Sequence, residues 1–284
     1  MYPTLRPALL LPLTALAVLG CRDLSDPSPM DRYPSGLAAA SAPEAVIPLT
    51  SCMIITQPGT YRVVEDLRPC MGHGAVDIRA DDVTVLLNGH ILSGRGFETF
   101  YGPAIGGGGR NISILGPGLI EDFSMGMRLG GTHLLVSGVT IQHAPDFGIE
   151  LRDVTDARIT NNRFSQVNYA AIIGGGTDIV ISGNEVTPSD PGENGFLLGG
   201  TGIVVRDNHL RGVGGAIVVS GTGNTIDHNE LSGGGMIQMP PGSVGNLITR
   251  NRLDSLGQML DPNGCEANTW VGNRFTHADP ECLQ

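Results

Sequence analysis

The sequence predicts an all-β chain forming a single right-handed parallel β-helix solenoid of about 8–9 rungs with disulfide-capped ends. Three observations predict it. A cassette of the form apolar-x-x-Asn-x-apolar recurs with its asparagines at Asn162, Asn184, Asn208, Asn229, Asn251 and Asn273, advancing by 22, 24, 21, 22 and 22 residues. A second series of segments opens on glycine, as in Gly126-Met127-Arg128-Leu129, Gly148-Ile149-Glu150-Leu151, Gly195-Phe196-Leu197-Leu198 and Gly215-Ala216-Ile217-Val218, several of them again one rung apart. Four cysteines lie at the two ends of the repeat region: Cys52, Cys70, Cys265 and Cys282. Helical repeats are set aside, because no apolar face at helical spacing lasts a whole repeat and 42 glycines interrupt any long helix.

Taken in chain order, residues 1–21 read as a signal peptide. Arg6 supplies a positive start, Leu9 to Leu19 an apolar run too short to span a membrane, and Val18-Leu19-Gly20-Cys21 an ending like a lipobox, with Cys21 the lipidated residue. Ordinary secretion is the alternative; either way the chain is exported. Residues 22–48 are rich in Pro, Ser and Ala without periodicity, as in a disordered tether. The β-helix domain then occupies 49–284, with an N-terminal cap at 49–80 and a C-terminal cap at 261–284. Any membrane contact would be through the lipid anchor.

Within each cassette Ile159 and Phe164 both belong inside, yet five residues separate them, an odd step that one strand cannot accommodate. A corner between them resolves the conflict, with Asn162 expected in the left-handed conformation. Stacked asparagines then form an amide ladder, and Asn224, Asn246 and Asn268 form a second one. Less regular copies of the cassette precede these around Leu86 to Ile91, Leu115 to Ile120 and Val136 to Ile141. At the ends, four cysteines allow three pairings, and proximity favours Cys52–Cys70 and Cys265–Cys282, each loop worth roughly 3 kcal/mol in the chain-entropy account. The rival, a four-cysteine metal site, lacks any CxxC pair, so no metal and no cofactor are expected. Trp270 falls in the inward slot of the last rung and would close that end.

The N-terminal block Ile55-Thr56-Gln57-Pro58-Gly59-Thr60-Tyr61, Glu65-Asp66-Leu67, Ala80-Asp81-Asp82-Val83-Thr84 and Leu87-Asn88-Gly89-His90, with the C-terminal Asn268-Thr269-Trp270, Asn273-Arg274-Phe275 and Pro280-Glu281-Cys282, resembles a family of exported bacterial β-helix repeat proteins of the pectin-lyase-like superfold. The resemblance covers nearly everything after residue 50 and implies export and the fold; the family's activity is mostly unassigned. Enzymes of the superfold act on acidic polysaccharides, but their signatures are missing. Gly72-His73-Gly74 and Asp81-Asp82 stand in the wrong order for a polygalacturonase, and no Asn-Thr-Asp, Arg-Ile-Lys or Asp-Pro-His accompanies them.

The weak catalytic candidates are Arg128, Asp146 and Glu150, with Arg152, His143 and Asp122 as neighbours: Arg would neutralise a sugar carboxylate and an acid would move a proton. Candidate ligand contacts are Phe147, Tyr169, Asn168 and Glu193, with Phe147 and Tyr169 expected on one column as a short sugar platform, and Tyr101 and Phe123 as further aromatics. The plain alternative is a solvated ladder, as in the outward column Arg163, Glu185, His209, Glu230, Arg252. Net charge of −11 speaks against nucleic acid as a partner. The sequence therefore favours a non-catalytic envelope protein that binds glycan or another surface component. The alternatives are a lyase, hydrolase or epimerase acting on acidic glycans, and a purely structural spacer.

Overall fold

The computed structural model describes residues 45–68, 70, 74–96, 102–187, 194–212, 215–254 and 256–283. The signal peptide, Cys21, most of the tether, Gly72-His73, Tyr101 and Glu193 lie outside them. The chain winds as a right-handed parallel β-solenoid of about nine turns. Twenty-four strands are found among the described residues, joined in one continuous sheet with parallel pairings throughout. Pairing begins at Ile47–Leu49 against Gly59–Val63, two residues ahead of the expected boundary.

Each rung has three faces. The Gly-opened face stacks Ile105, Met127, Ile149, Ile172, Phe196, Ile217, Ile237 and Met259 inward in strict register. All eight are fully buried. The second face stacks Val85, Ile114, Val136, Ile159, Ile181, Val205, Ile226, Ile248 and Trp270. The third, after the Asn corner, stacks Ile141, Phe164, Val186, Leu210, Leu231 and Leu253. These columns form one apolar core along the whole axis. In the two earliest cassettes the inward residues are therefore Val85 and Ile114, not Leu86 and Leu115, because the corners there are longer; Leu87 fills the first of them.

The ladder asparagines Asn162 to Asn251 are buried and the terminal Asn273 is half-buried, but none of them is the left-handed residue. Positive φ belongs to the residue before each: Asn161 (55°), Gly183 (65°), Asp207 (55°), His228 (55°), Arg250 (54°) and Gly272 (68°). The preceding residue makes the bend, which frees the ladder residue to point its amide inward along the stack. Asn229 shows the pattern: its Nδ2 donates to Val205 O and Asn251 Oδ1, both at 2.9 Å. Its Oδ1 accepts from the Asn208 backbone N–H at 3.1 Å and from Asn208 Nδ2 at 2.9 Å. The second ladder runs Asn224, Asn246, Asn268 and ends on Asp261, whose Oδ2 accepts from Asn268 Nδ2 and Trp270 Nε1 at 2.9 Å each. Cys52–Cys70 and Cys265–Cys282 are the bonded pairs, one near each end.

Candidate functional site

On the Gly-opened face, side chains alternate inward and outward, so Arg128 and Glu150 are register partners in adjacent rungs on the outer surface. Arg128 Nε donates to Glu150 Oε2, and Arg152 Nε donates to Glu150 Oε1 at 2.9 Å. Partial burial pushes the Glu150 carboxyl up, but the hydrogen bonds from Arg128 and then Arg152, with their charges, outweigh it and hold the group below its usual range. Glu150 is therefore an ionised acceptor clamped by two guanidinium forks, without a proton to donate.

Asp146 sits at the mouth of the same strand. Its backbone N–H donates to Ser124 O at 2.9 Å and its C=O accepts from Ala170 N–H at 3.3 Å. Its Oδ2 is buried with no hydrogen-bond partner among the described residues. Four residues of extended chain separate it from Glu150, roughly 13 Å at ~3.3 Å per residue. His143 faces Asp122 at 3.7 Å, each at a left-handed corner.

The aromatic pair is real but differently built. Phe147 aligns with Ala170, so Tyr169 stands one residue outside the column of Phe147. The rings meet edge to face, with centroids 5.5 Å apart and planes at 81°. Tyr169 is 52% exposed and Asn168 is also at the surface, its backbone N–H donating to Ala144 O at 3.3 Å. Phe123 is a core residue, 2% exposed, and leaves the list of surface aromatics.

A feature that sequence reasoning missed lies beside Arg152. Leu151, Arg152, Asp153, Gly174, Gly175, Gly176, Thr177 and Gly199 to Thr201 line an open trough of about 610 Å³. Its floor is bare backbone for a steric reason: a Cβ on Gly175 would lie 1.8 Å from Gly199 O, and one on Gly200 1.9 Å from Gly176 O. On the same face the outward column continues from Arg128 and Glu150 into Ile173, one residue before Gly174 in the chain, then Leu197 and Val218, all half-buried. The signal was present in the run Gly174-Gly175-Gly176 and its echoes Gly130-Gly131 and Gly199-Gly200.

Residues 121–279, more than half of the chain, match the family model described as "Right handed beta helix region". Among solved structures, an alginate lyase from Paenibacillus sp. str. FPU-7 is similar with a TM-score of 0.58 and 15% identity, over 82% of this chain and 97% of that one. The Dettilon tailspike protein is similar with a TM-score of 0.50 and 14% identity, over 82% of this chain and 60% of that one. At these identities the likeness is one of fold. No curated protein matches the sequence.

Proposed function

The chain belongs to the right-handed β-helix family, and from that premise we propose that it is an exported, lipid-anchored envelope protein that binds an acidic polysaccharide without cleaving it. The observation that carries this reading is the trough lined by Arg152, with its bare-backbone floor, on the same face as the half-buried aliphatic column Ile173, Leu197, Val218. Sugar rings offer C–H faces to aliphatic side chains and hydroxyls to exposed backbone groups, and a uronate carboxylate suits an Arg fork. The exposed Tyr169 beside Phe147 would extend the same surface. An alginate lyase is built on this fold, so the architecture supports glycan recognition elsewhere. Against catalysis here stands Glu150, clamped by Arg128 and Arg152 and held ionised.

The test is titration of the full-length chain with alginate and oligogalacturonate, with a parallel assay for unsaturated products and new reducing ends. Binding that weakens at least about tenfold in Arg152→Gln, without product, is expected; tenfold corresponds to ~1.4 kcal/mol, as for one charge-assisted contact. Turnover by the wild type that vanishes in Glu150→Gln overturns the non-catalytic reading, and absence of binding overturns the glycan reading. Export by way of Cys21 is checked separately by mass spectrometry of the mature N-terminus. A lipid-modified Cys21 is expected there, and any other first residue refutes the anchor.

A further inference from the structure

A second cavity lies at the Asn corner and the strands that follow it, and it shares no residue with the trough. Gly138, Val139, Thr140, Asn161, Arg163, Gly183, Glu185, His209 and Arg211 are among its lining residues, and its volume is about 490 Å³. Its origin is legible in the corner column. In later rungs the left-handed corner carries Asp207, His228 and Arg250, whose side chains narrow the hollow to about 220 Å³: His228 Nδ1 contacts Asp207 Oδ1 at 2.8 Å, and Arg250 Nε donates to Asp227 Oδ1 at 2.9 Å. In earlier rungs the same corner is Gly138 and Gly183, on either side of Asn161. The absent side chain at Gly138, where a Cβ would meet nothing nearer than 3.8 Å, leaves the hollow wider here.

Two arginines overlook it. Arg163 and Glu185 are register partners, as are Glu185 and His209, with Arg211 two residues further along the last strand. Arg163 Nε reaches Glu185 Oε2 at 3.3 Å and Arg211 Nη1 reaches Glu185 Oε1 at 3.9 Å, so one carboxylate is held loosely between two guanidinium groups. The two arginine side chains are 74% and 64% exposed. Two positive groups against one negative leave a local surplus of positive charge on a chain of net charge −11. Planar guanidinium forks bind oxyanions in pairs of parallel hydrogen bonds, and each of these forks spends at most one nitrogen on Glu185.

We infer that this hollow is an oxyanion site: Arg163 and Arg211 together receive one carboxylate or phosphate group of a ligand, with the Gly138 and Gly183 corners giving it room. The site is separate from the trough and does not depend on the glycan reading. Its source, a uronic sugar or a phosphate ester, is distinguished by the probes.

The experiment titrates the full-length chain at low ionic strength with D-glucuronate, with inorganic phosphate and with neutral glucose, followed by NMR or calorimetry. Saturable binding of glucuronate or phosphate but not glucose is expected. The affinity should fall at least about tenfold in Arg163→Gln/Arg211→Gln and be unchanged in Arg79→Gln, whose guanidinium pairs with Asp77 away from both hollows. Gly138→Asp gives an independent arm. Gly138 has φ of 71°, which Asp tolerates better than most residues, and a Cβ there comes no nearer than 3.8 Å to any neighbour. That variant should fold, place a like charge in the hollow and abolish anion binding. No binding by the wild type, binding that survives both the double variant and Gly138→Asp, or binding lost in Arg79→Gln each overturns the proposal.

Discussion

The rungs before Asn162 and those after it solve the same corner in two ways. Just before it, strands run through the corners without a break: Pro103–Glu121 and Met125–Ala144 are 19 and 20 residues long, although the rung ahead of them is split into Val83–Leu86 and Ile91–Ser93. The inner corner slot holds an apolar side chain such as Val139, 1% exposed. After it, rungs divide into short strands, as in Thr225–Asp227 and Glu230–Ser232, and the same slot holds a buried asparagine. An apolar corner side chain gains only from burial, and the Val139 backbone N–H is taken by Asn162 Oδ1 of the next rung at 3.0 Å. An amide corner binds three consecutive rungs through directional bonds, which sharpens the bend and fixes register. The proposed trough spans the junction of the two regions, and the oxyanion hollow sits where the amide ladder begins.

The largest expected effect is at the end of the second ladder. Asp261 is fully buried and accepts from Asn268, Trp270 and Asn263. Asp261→Ala would leave buried donors unpaired, at roughly 1–3 kcal/mol each, so a loss of about 3 kcal/mol is expected. Urea unfolding measures it, and the Trp270 emission should shift as the indole loses its acceptor. A loss below ~1 kcal/mol would show that the ladder needs no terminal acceptor.

Next comes the direct comparison of corners. Asn229→Ala strips four hydrogen bonds that link Asn229 to Val205, Asn208 and Asn251, and should cost about 2–3 kcal/mol. Val139→Ala, in the equivalent slot, should cost about 1.5 kcal/mol at ~0.8 kcal/mol per buried carbon. The surface control is His228→Gly, expected within ~0.5 kcal/mol. Alanine is the wrong control there, because His228 holds a φ of 55° that a Cβ disfavours. Thermal unfolding of the three variants decides it. If Asn229→Ala costs no more than Val139→Ala, the two kinds of corner are energetically alike and the comparison collapses.

What the sequence made legible follows from the same contrast. The inward columns and both ladders are legible because Asn and the apolar positions recur every 21–24 residues along the chain. The left-handed position was misassigned by one residue because the first clear copy is Asn161-Asn162, where either residue tolerates the bend. Gly183 and Gly272, each directly before a ladder residue, held the answer. Phe147 and Tyr169 were placed on one column by counting 22 residues, but the register between these rungs is 23, Phe147 to Ala170. The two hollows were illegible as sites because each is made by absent side chains, and a glycine reads equally well as a turn. Glu150 was chosen rightly as a partner of Arg128, whereas its second clamp, Arg152, had been read only as a neighbour.

The smallest expected effect bears on whether that cluster is structure or chemistry. Glu150 has its folded pKa held below the unfolded value of about 4.3. A lowered acid pKa contributes stability that is fully present above the unfolded value and is lost as pH falls through the folded one. Glu150→Gln should therefore be less stable than wild type at pH 7, by under ~1 kcal/mol because Arg152 and part of Arg128 face solvent. The gap should close on acidification, as the wild-type carboxylate takes up a proton and becomes, like glutamine, a neutral partner for two arginines. Urea midpoints of both proteins at pH 7, 5 and 3 give the curve. A gap that instead reversed near neutral pH would mean a raised pKa, hence a carboxylic acid able to donate a proton beside the trough. Only that outcome would make this face resemble an acid–base centre rather than a clamped ion cluster.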